Sequence, residues 1–119
     1  MLTDQVGDLV AVRSTANGTY KVWRADPAVA IRMPAIGVIV RKWGTTDCIV
    51  QLYGEIRGLY SSLLPGKRYF VGLDGRPTLA TNFIDPSPGE RYRIQTFGVA
   101  LNLGILLLEP SADMVIRVG

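Results

Sequence analysis

The chain has 119 residues, a net charge of +3, and a composition that is 48% hydrophobic and 19% charged. This balance excludes an intrinsically disordered chain and predicts one β-rich globular domain over residues 1–119. The basic residues are scattered rather than clustered, so we expect no direct binding to nucleic acid. The chain has no histidine, which removes the commonest general base and the commonest transition-metal ligand.

Cysteine content and apolar segments limit the cellular setting. Cys48 is the one cysteine of the sequence, so no disulfide can form within the chain, and its apolar neighbours predict a buried side chain. Residues 1–5 lack the basic and apolar segments of a signal peptide. No apolar segment is long enough to span a bilayer, so no membrane partner is expected.

Frequent turn signals divide the chain into about ten short strands. Asn17–Gly18 is a strong hairpin signal, and Pro65–Gly66 and Pro88–Gly89 repeat one turn-and-strand phrase. No segment has apolar residues at the helical period. The predicted strands are the hairpin 9–24 and the runs 36–41, 47–53, 68–71, 77–80, 92–96, 98–101, 105–109 and 114–118. We therefore predict an all-β fold, a compact sandwich or small barrel built from hairpins, with little helix.

Three segments between the strands are expected to be irregular. Residues 26–34 should form a connector with one short helical turn, and residues 82–89 a surface loop. Gly54 and Gly58 bracket residues 55–57, which predicts a bulge or bend at that point.

Groups that could carry catalysis are scarce in this sequence. Gly66–Lys67 lacks the remainder of a phosphate-binding loop, and no cofactor or metal site is indicated. We therefore predict that the chain is not an enzyme. The alternative is a small hydrolase with a pair of carboxylates, in which Glu55, Glu90 or Glu109 acts together with Asp47, Asp74 or Asp85.

Aromatic and apolar residues are the candidates for a binding surface. Trp43 lies at a predicted hairpin tip, and tyrosines flank the predicted bend. Tyrosine and tryptophan are enriched among the residues that dominate interface energy, although such rings also cap a protein's own core. Residues 1–8 and 110–119 are expected to be partner-binding tails, because an apolar final strand without a partner favours association. The predicted interface residues are Trp43, Tyr53, Tyr60, Val115, Ile116 and Val118.

Five short segments of turns and apolar strands follow one another between residues 35 and 110. They are Ala35–Val38, Val50–Ile56, Leu64–Gly72, Phe97–Leu101 and Leu106–Pro110. As an ordered set they resemble a β-module common in structural proteins of tailed bacteriophages. In that module a Gly-Val strand leads to a Gln-X-X-Gly strand. A Pro-Gly turn with its strand follows, and a second Gly-Val strand ends in a leucine-rich strand. This chain departs from the pattern at Leu64, where threonine often precedes the Pro-Gly.

The resemblance implies a role in particle assembly rather than in catalysis. A free-standing module of this size is most similar to a head decoration, or cement, protein. That likeness implies synthesis in the host cytoplasm and binding to the major capsid protein on the outer surface of the virion head. A homo-oligomer is then expected, with a homotrimer the first expectation and a dimer the second. The alternative is a tail, baseplate or fibre component that contacts the host surface.

Overall fold

The computed structural model describes residues 5–16, 19–44, 47–79 and 88–118. Within these residues there are eleven strands and one short 3-10 turn, η1, at Ala30–Arg32. The strands are β1 Leu9–Ala16, β2 Thr19–Arg24, β3 Gly37–Trp43, β4 Asp47–Gln51, β5 Gly54–Arg57, β6 Arg68–Val71, β7 Pro77–Leu79, β8 Arg91–Ile94, β9 Thr96–Asn102, β10 Ile105–Leu108 and β11 Val115–Val118. The predicted all-β fold with little helix is confirmed.

The strands form three antiparallel sheets. One has the order β2-β1-β3-β4, the second has the order β5-β10-β9-β6-β7, and the third is the ribbon β11-β8. The two larger sheets are open and are not closed into a ring, so the sandwich is the correct one of the two predicted architectures.

The core lies between the two larger sheets. Leu9 and Val38 enter it from the first sheet, and Ile56 and Leu106 enter it from the second. Each of these side chains is almost fully buried, which contributes about 1.5–3 kcal/mol per residue relative to exposure. Phe97 is the extra residue of a β9 bulge, where two residues of β6 pair with residues on either side of it. The bulge lets its ring join the core.

Gly37 and Gly98 lie within strands, and both positions require glycine for the same structural reason. A Cβ atom on Gly37 would overlap the carbonyl oxygen of Gln51 on β4, and a Cβ atom on Gly98 would overlap the carbonyl oxygen of Leu107 on β10. In both cases the neighbouring strand approaches too closely for any larger residue. The glycine of each Gly-Val pair is therefore required by a close contact with the neighbouring strand.

The prediction of a bulge or bend over residues 55–57 is wrong. These residues belong to β5, an edge strand that pairs with β10 along its length. Gly54, with φ +94°, and Gly58, with φ +77°, stand at the two ends of the strand. Ile56 is buried between exposed neighbours, which is the alternation of a half-buried strand. The two glycines delimit a short strand and do not interrupt one.

Several other predictions can be compared with the structure. The hairpin over 9–24 is confirmed as β1 and β2, and η1 is the expected helical turn in the connector. The predicted turn at Asn17–Gly18 lies outside the described residues. So do residues 80–87, which include the end of the predicted strand 77–80 and most of the predicted loop 82–89. The strand break expected at Phe97 occurs instead at Gln95, where the chain passes from the ribbon into the five-stranded sheet.

Candidate partner-binding surface

The final strand, β11, lies outside both larger sheets, and among the described strands it pairs only with β8. Its aliphatic side chains are exposed, with Val115 at 67%, Ile116 at 55% and Val118 at 62%. A two-stranded ribbon is at best marginally stable by itself, because it buries little apolar surface. The predicted interface strand therefore has one partner inside the chain, while its apolar side chains remain available for contacts.

The pairing register assigns the ribbon's side chains to two faces. Ile116 pairs with Arg93, and Val118 pairs with Arg91, so these side chains share one face. Tyr92 is on the opposite face and is buried, whereas Val115 on that face is 67% exposed. The opposite face therefore packs against the body of the protein through β8, while β11 is exposed on both faces. The outward face, called here the outer face of the ribbon, consists of Met114, Ile116, Val118, Arg91 and Arg93.

A buried glutamine fixes the base of the ribbon. The Oε1 atom of Gln95 accepts a hydrogen bond from Ala35 N at 2.8 Å, and its Nε2 atom donates to Ala35 O at 2.9 Å. The same Nε2 donates to Ser111 O at 2.9 Å. Gln95 is completely buried, so one side chain ties the junction between β8 and β9 to the segment before β3 and to the segment that leads into β11. The sequence signal that could have revealed it is a lone amide within the apolar run from Ile94 to Val99.

Trp43 lies at the far end of the four-stranded sheet. It pairs with Asp47, and Arg41 pairs with Ile49, so the four side chains share one exposed face. The Arg41 guanidinium lies 5.0 Å from the centre of the Trp43 ring, within the range of a cation–π contact. Trp43 is 47% exposed and therefore keeps a large surface in contact with solvent.

Tyr53 lies at the opposite end of β4 from Trp43. It is 78% exposed, and its backbone carbonyl accepts a hydrogen bond from Gln51 Nε2 at 2.9 Å. The six steps along the chain from Asp47, the pairing partner of Trp43, to Tyr53 correspond to about 20 Å of extended chain. The structure therefore does not bring these two predicted interface residues together, although each is individually exposed.

Tyr60, by contrast, is partly buried and packs against the core. Its hydroxyl donates a hydrogen bond to Gly7 O at 2.6 Å, beside the ion pair between Arg76 Nε and Asp8 Oδ1 at 3.1 Å. Burial raises the pKa of the Tyr60 hydroxyl above its ordinary value of 10.0, and the Arg76 charge opposes this shift. The alternative given for the predicted interface tyrosines, in which a ring covers the core of its own protein, describes Tyr60.

The described part of the first predicted tail is also bound to the body. Gly7 N donates to Ile39 O at 2.8 Å, and Leu9 N donates to Gly75 O at 2.8 Å. Asp8 is buried and paired with Arg76. Residues 5–8 thus extend the packed domain, and residues 1–4 lie outside the described residues.

Replacing Tyr60 with phenylalanine is expected to lower the free energy of unfolding by about 1–2 kcal/mol, because Gly7 O loses its bond. Because the pKa of Tyr60 is higher in the folded than in the unfolded protein, its neutral hydroxyl stabilises the fold fully at a pH below the unfolded value near 10. This stabilisation is lost progressively as the pH rises above that value. Wild-type stability should therefore fall as the pH rises past 10, and the variant should show a shallower fall. Urea unfolding between pH 8 and 11 measures both effects.

Tyr53→Phe is the matched control, because the Tyr53 ring is exposed and no described residue bonds to its hydroxyl. It should leave both neutral and alkaline stability within about 0.5 kcal/mol of wild type. Equal losses of stability in the two variants would contradict a structural role for the Tyr60 hydroxyl.

The catalytic alternative depends on carboxylates that the structure places on exposed segments. Glu55 forms an ion pair with Arg57 on β5, Glu90 precedes β8, and Glu109 follows β10. Among residues 5–16, 19–44, 47–79 and 88–118, no cluster of three or more cysteine, aspartate or glutamate side chains is arranged to hold a metal ion. No helix in the same ranges has the length and apolar character needed to cross a membrane.

Comparison with protein-family models, with curated proteins and with solved structures found no match. The candidate surface is therefore defined by this chain's own geometry.

Cys48, predicted to be buried, is partly buried on β4. A shallow groove of about 290 Å³ runs beside β8 and is lined by Ala28, Gly89, Glu90, Arg91, Tyr92 and Arg93.

Proposed function

We propose that this chain is a structural protein of a tailed-phage particle, a decoration protein that binds the major capsid protein on the outside of the head. The observation that supports this role most directly is the outer face of the ribbon. Ile116 and Val118 lie on this face and are more than half exposed, on a strand that has a free edge. Apolar side chains grouped in this way are typical of a surface that a partner covers.

The proposed mechanism is linkage between binding and assembly. A protein that binds only the assembled lattice stabilises that lattice, by about 2.7 kcal/mol per site when its free concentration is one hundred times the dissociation constant. Many copies that each bridge neighbouring capsid subunits would raise the resistance of the head to heat and to internal pressure. No chemical transformation is required of any residue.

A tail, baseplate or fibre component is the second candidate, and the exposure of Trp43 favours it. An indole ring that is stacked with Arg41 and open to solvent is a suitable surface for a sugar ring. Tyr53 would be a separate contact, because it lies at the other end of β4. Both candidates place the protein on the virion surface, and they differ in its location.

The experiment uses the phage that encodes this chain. We expect cryo-electron microscopy of particles carrying a labelled copy to show density over the whole head. Particles that lack the protein should lose their genomes at a lower temperature than wild type, and added purified protein should restore the wild-type temperature. Label confined to the tail would support the second candidate, and unchanged heat resistance would contradict the cement role.

Surface variants connect this role to the ribbon. The double variant Ile116→Ser with Val118→Ser should fold with nearly unchanged stability, because both side chains are exposed. It should nevertheless fail to restore heat resistance to the deficient particles. Leu103→Ser is the matched control, since Leu103 is 63% exposed in the turn between β9 and β10, at the other end of β9 from the ribbon, and should restore resistance fully. Analytical ultracentrifugation of the purified protein would determine whether it is a trimer, a dimer or a monomer.

A further inference from the structure

The free edge of β11 presents a defined set of backbone groups. Arg93 N donates to Pro27 O at 2.8 Å, so the backbone groups of Arg93 point away from β11. Arg93 and Ile116 are therefore a non-hydrogen-bonded pair of the antiparallel ladder. In such a pair both residues direct their N–H and C=O groups outward. The outward groups on the β11 side belong to Ile116 and, two residues later, to Val118.

These outward groups are not used by the rest of the described chain. No described backbone outside the ribbon bonds to Ile116 or Val118, and β11 has no second neighbour in its sheet. An unpaired row of N–H and C=O groups is a template for another strand. The strand is short but apolar, and it carries neither proline nor a bulge, which are common protections of an edge.

The charge beside this edge indicates the chemistry of the added strand. Arg91 and Arg93 lie on the outer face of the ribbon, and neither guanidinium forms an ion pair with a described residue. A strand added next to β11 would lie about 10 Å from β8, two strand spacings away. Extended arginine and glutamate side chains can meet across that distance, over the aliphatic surface of Ile116.

We propose that the free edge of β11 binds an extended, acidic segment of another protein by strand addition. The backbone groups of Ile116 and Val118 form the ladder, and carboxylates of the segment pair with Arg91 and Arg93. This inference rests on the proposed function, because it takes the ribbon as the partner-binding surface, and it specifies the partner's chemistry. A second copy of this chain fits less well, because it would add two more arginines and no carboxylate to the same face.

The test measures the binding of two short labelled peptides to the purified full chain by fluorescence anisotropy. One peptide alternates valine and glutamate, and the other alternates valine and lysine. We expect the glutamate peptide to bind at least tenfold more tightly, and salt to weaken its binding. The double variant Arg91→Glu with Arg93→Glu should reverse this preference. Equal affinities for the two peptides would overturn the proposal.

A second variant separates strand addition from a general attraction of charges. In Ile116→Pro the missing N–H is one that points to the free edge, so the ladder to β8 stays intact and only the added strand loses a bond. We expect at least a tenfold loss of peptide affinity, while Ile116→Val, which keeps the N–H, binds as wild type. Slow hydrogen exchange at the Arg117 amide would confirm that the ribbon is still formed.

The remaining outcomes also decide the question. Unchanged peptide binding by Ile116→Pro would overturn strand addition. A concentration-dependent dimer of the free protein that Ile116→Pro abolishes would assign the edge to a second copy and overturn the acidic partner. If the peptide results are as expected but labelled protein is absent from phage particles, the proposed function fails and the binding mode stands.

Discussion

Replacing Gln95 with leucine is expected to lower the free energy of unfolding by about 4 kcal/mol. The glutamine amide bonds the N–H and carbonyl of Ala35 and the carbonyl of Ser111, and it is completely buried. Leucine has a similar size but no polar atom, so backbone groups of two segments would lose their partners at about 1–3 kcal/mol each. Equilibrium urea unfolding followed by circular dichroism measures the loss.

Gln51→Leu is the matched control for this substitution. The Nε2 atom of Gln51 also donates to two carbonyls, those of Tyr53 and Glu55, but both bonds are exposed to water. Water can replace the lost donor, so the expected cost is below about 1 kcal/mol. Similar losses in the two variants would mean that Gln95 acts through its volume and not through its hydrogen bonds. Hydrogen exchange at Ala35 should become faster only in the Gln95 variant.

Gly98→Ala is expected to destabilise the protein by about 3 kcal/mol, at the upper end of the cost of overpacking. The added methyl group would overlap the carbonyl oxygen of Leu107, which is backbone and cannot rotate away. β9 and β10 would have to separate at the centre of the five-stranded sheet. Thermal unfolding monitored by calorimetry should show a clearly lower midpoint than wild type.

Gly104→Ala provides the comparison within the same hairpin. The nearest atom to a Cβ at this position is the Tyr60 carbonyl oxygen at 3.9 Å, an ordinary contact distance. We expect a change of less than about 0.5 kcal/mol, so the midpoint of thermal unfolding should stay close to that of the wild type. A Gly104 variant as unstable as the Gly98 variant would show that loss of glycine itself, and not the strand contact, is responsible.

Local turn chemistry was sufficient to predict most of the strands. The turn at Pro65–Gly66 and the hairpin over 9–24 were recognisable because such turns are set by neighbouring residues. The error at residues 55–57 has a physical reason. Glycines at both ends of a short strand give the same local signal as a bend, and only pairing with β10 distinguishes the two.

The candidate surface was predictable only in part. The apolar character of Val115–Val118 identified the strand, but its partner, β8, is rich in arginine and has no pattern that points to β11. Which side chains share a face depends on register, and register is set by long-range contacts. The same limit applies to Tyr60, whose hydroxyl reaches a residue far away in the sequence, and to Gln95, which bonds two distant segments.

The bond from Gln95 to Ser111 has a consequence for recognition. It anchors the chain four residues before β11 begins, so the ribbon leaves the body in a preset direction. A preorganised ribbon loses less conformational entropy on binding a partner than a flexible one would. The affinity of the ribbon for a partner would therefore depend on the buried amide of Gln95. Weakening its hydrogen bond to Ser111 should speed dissociation of the partner, although no residue at the interface is changed.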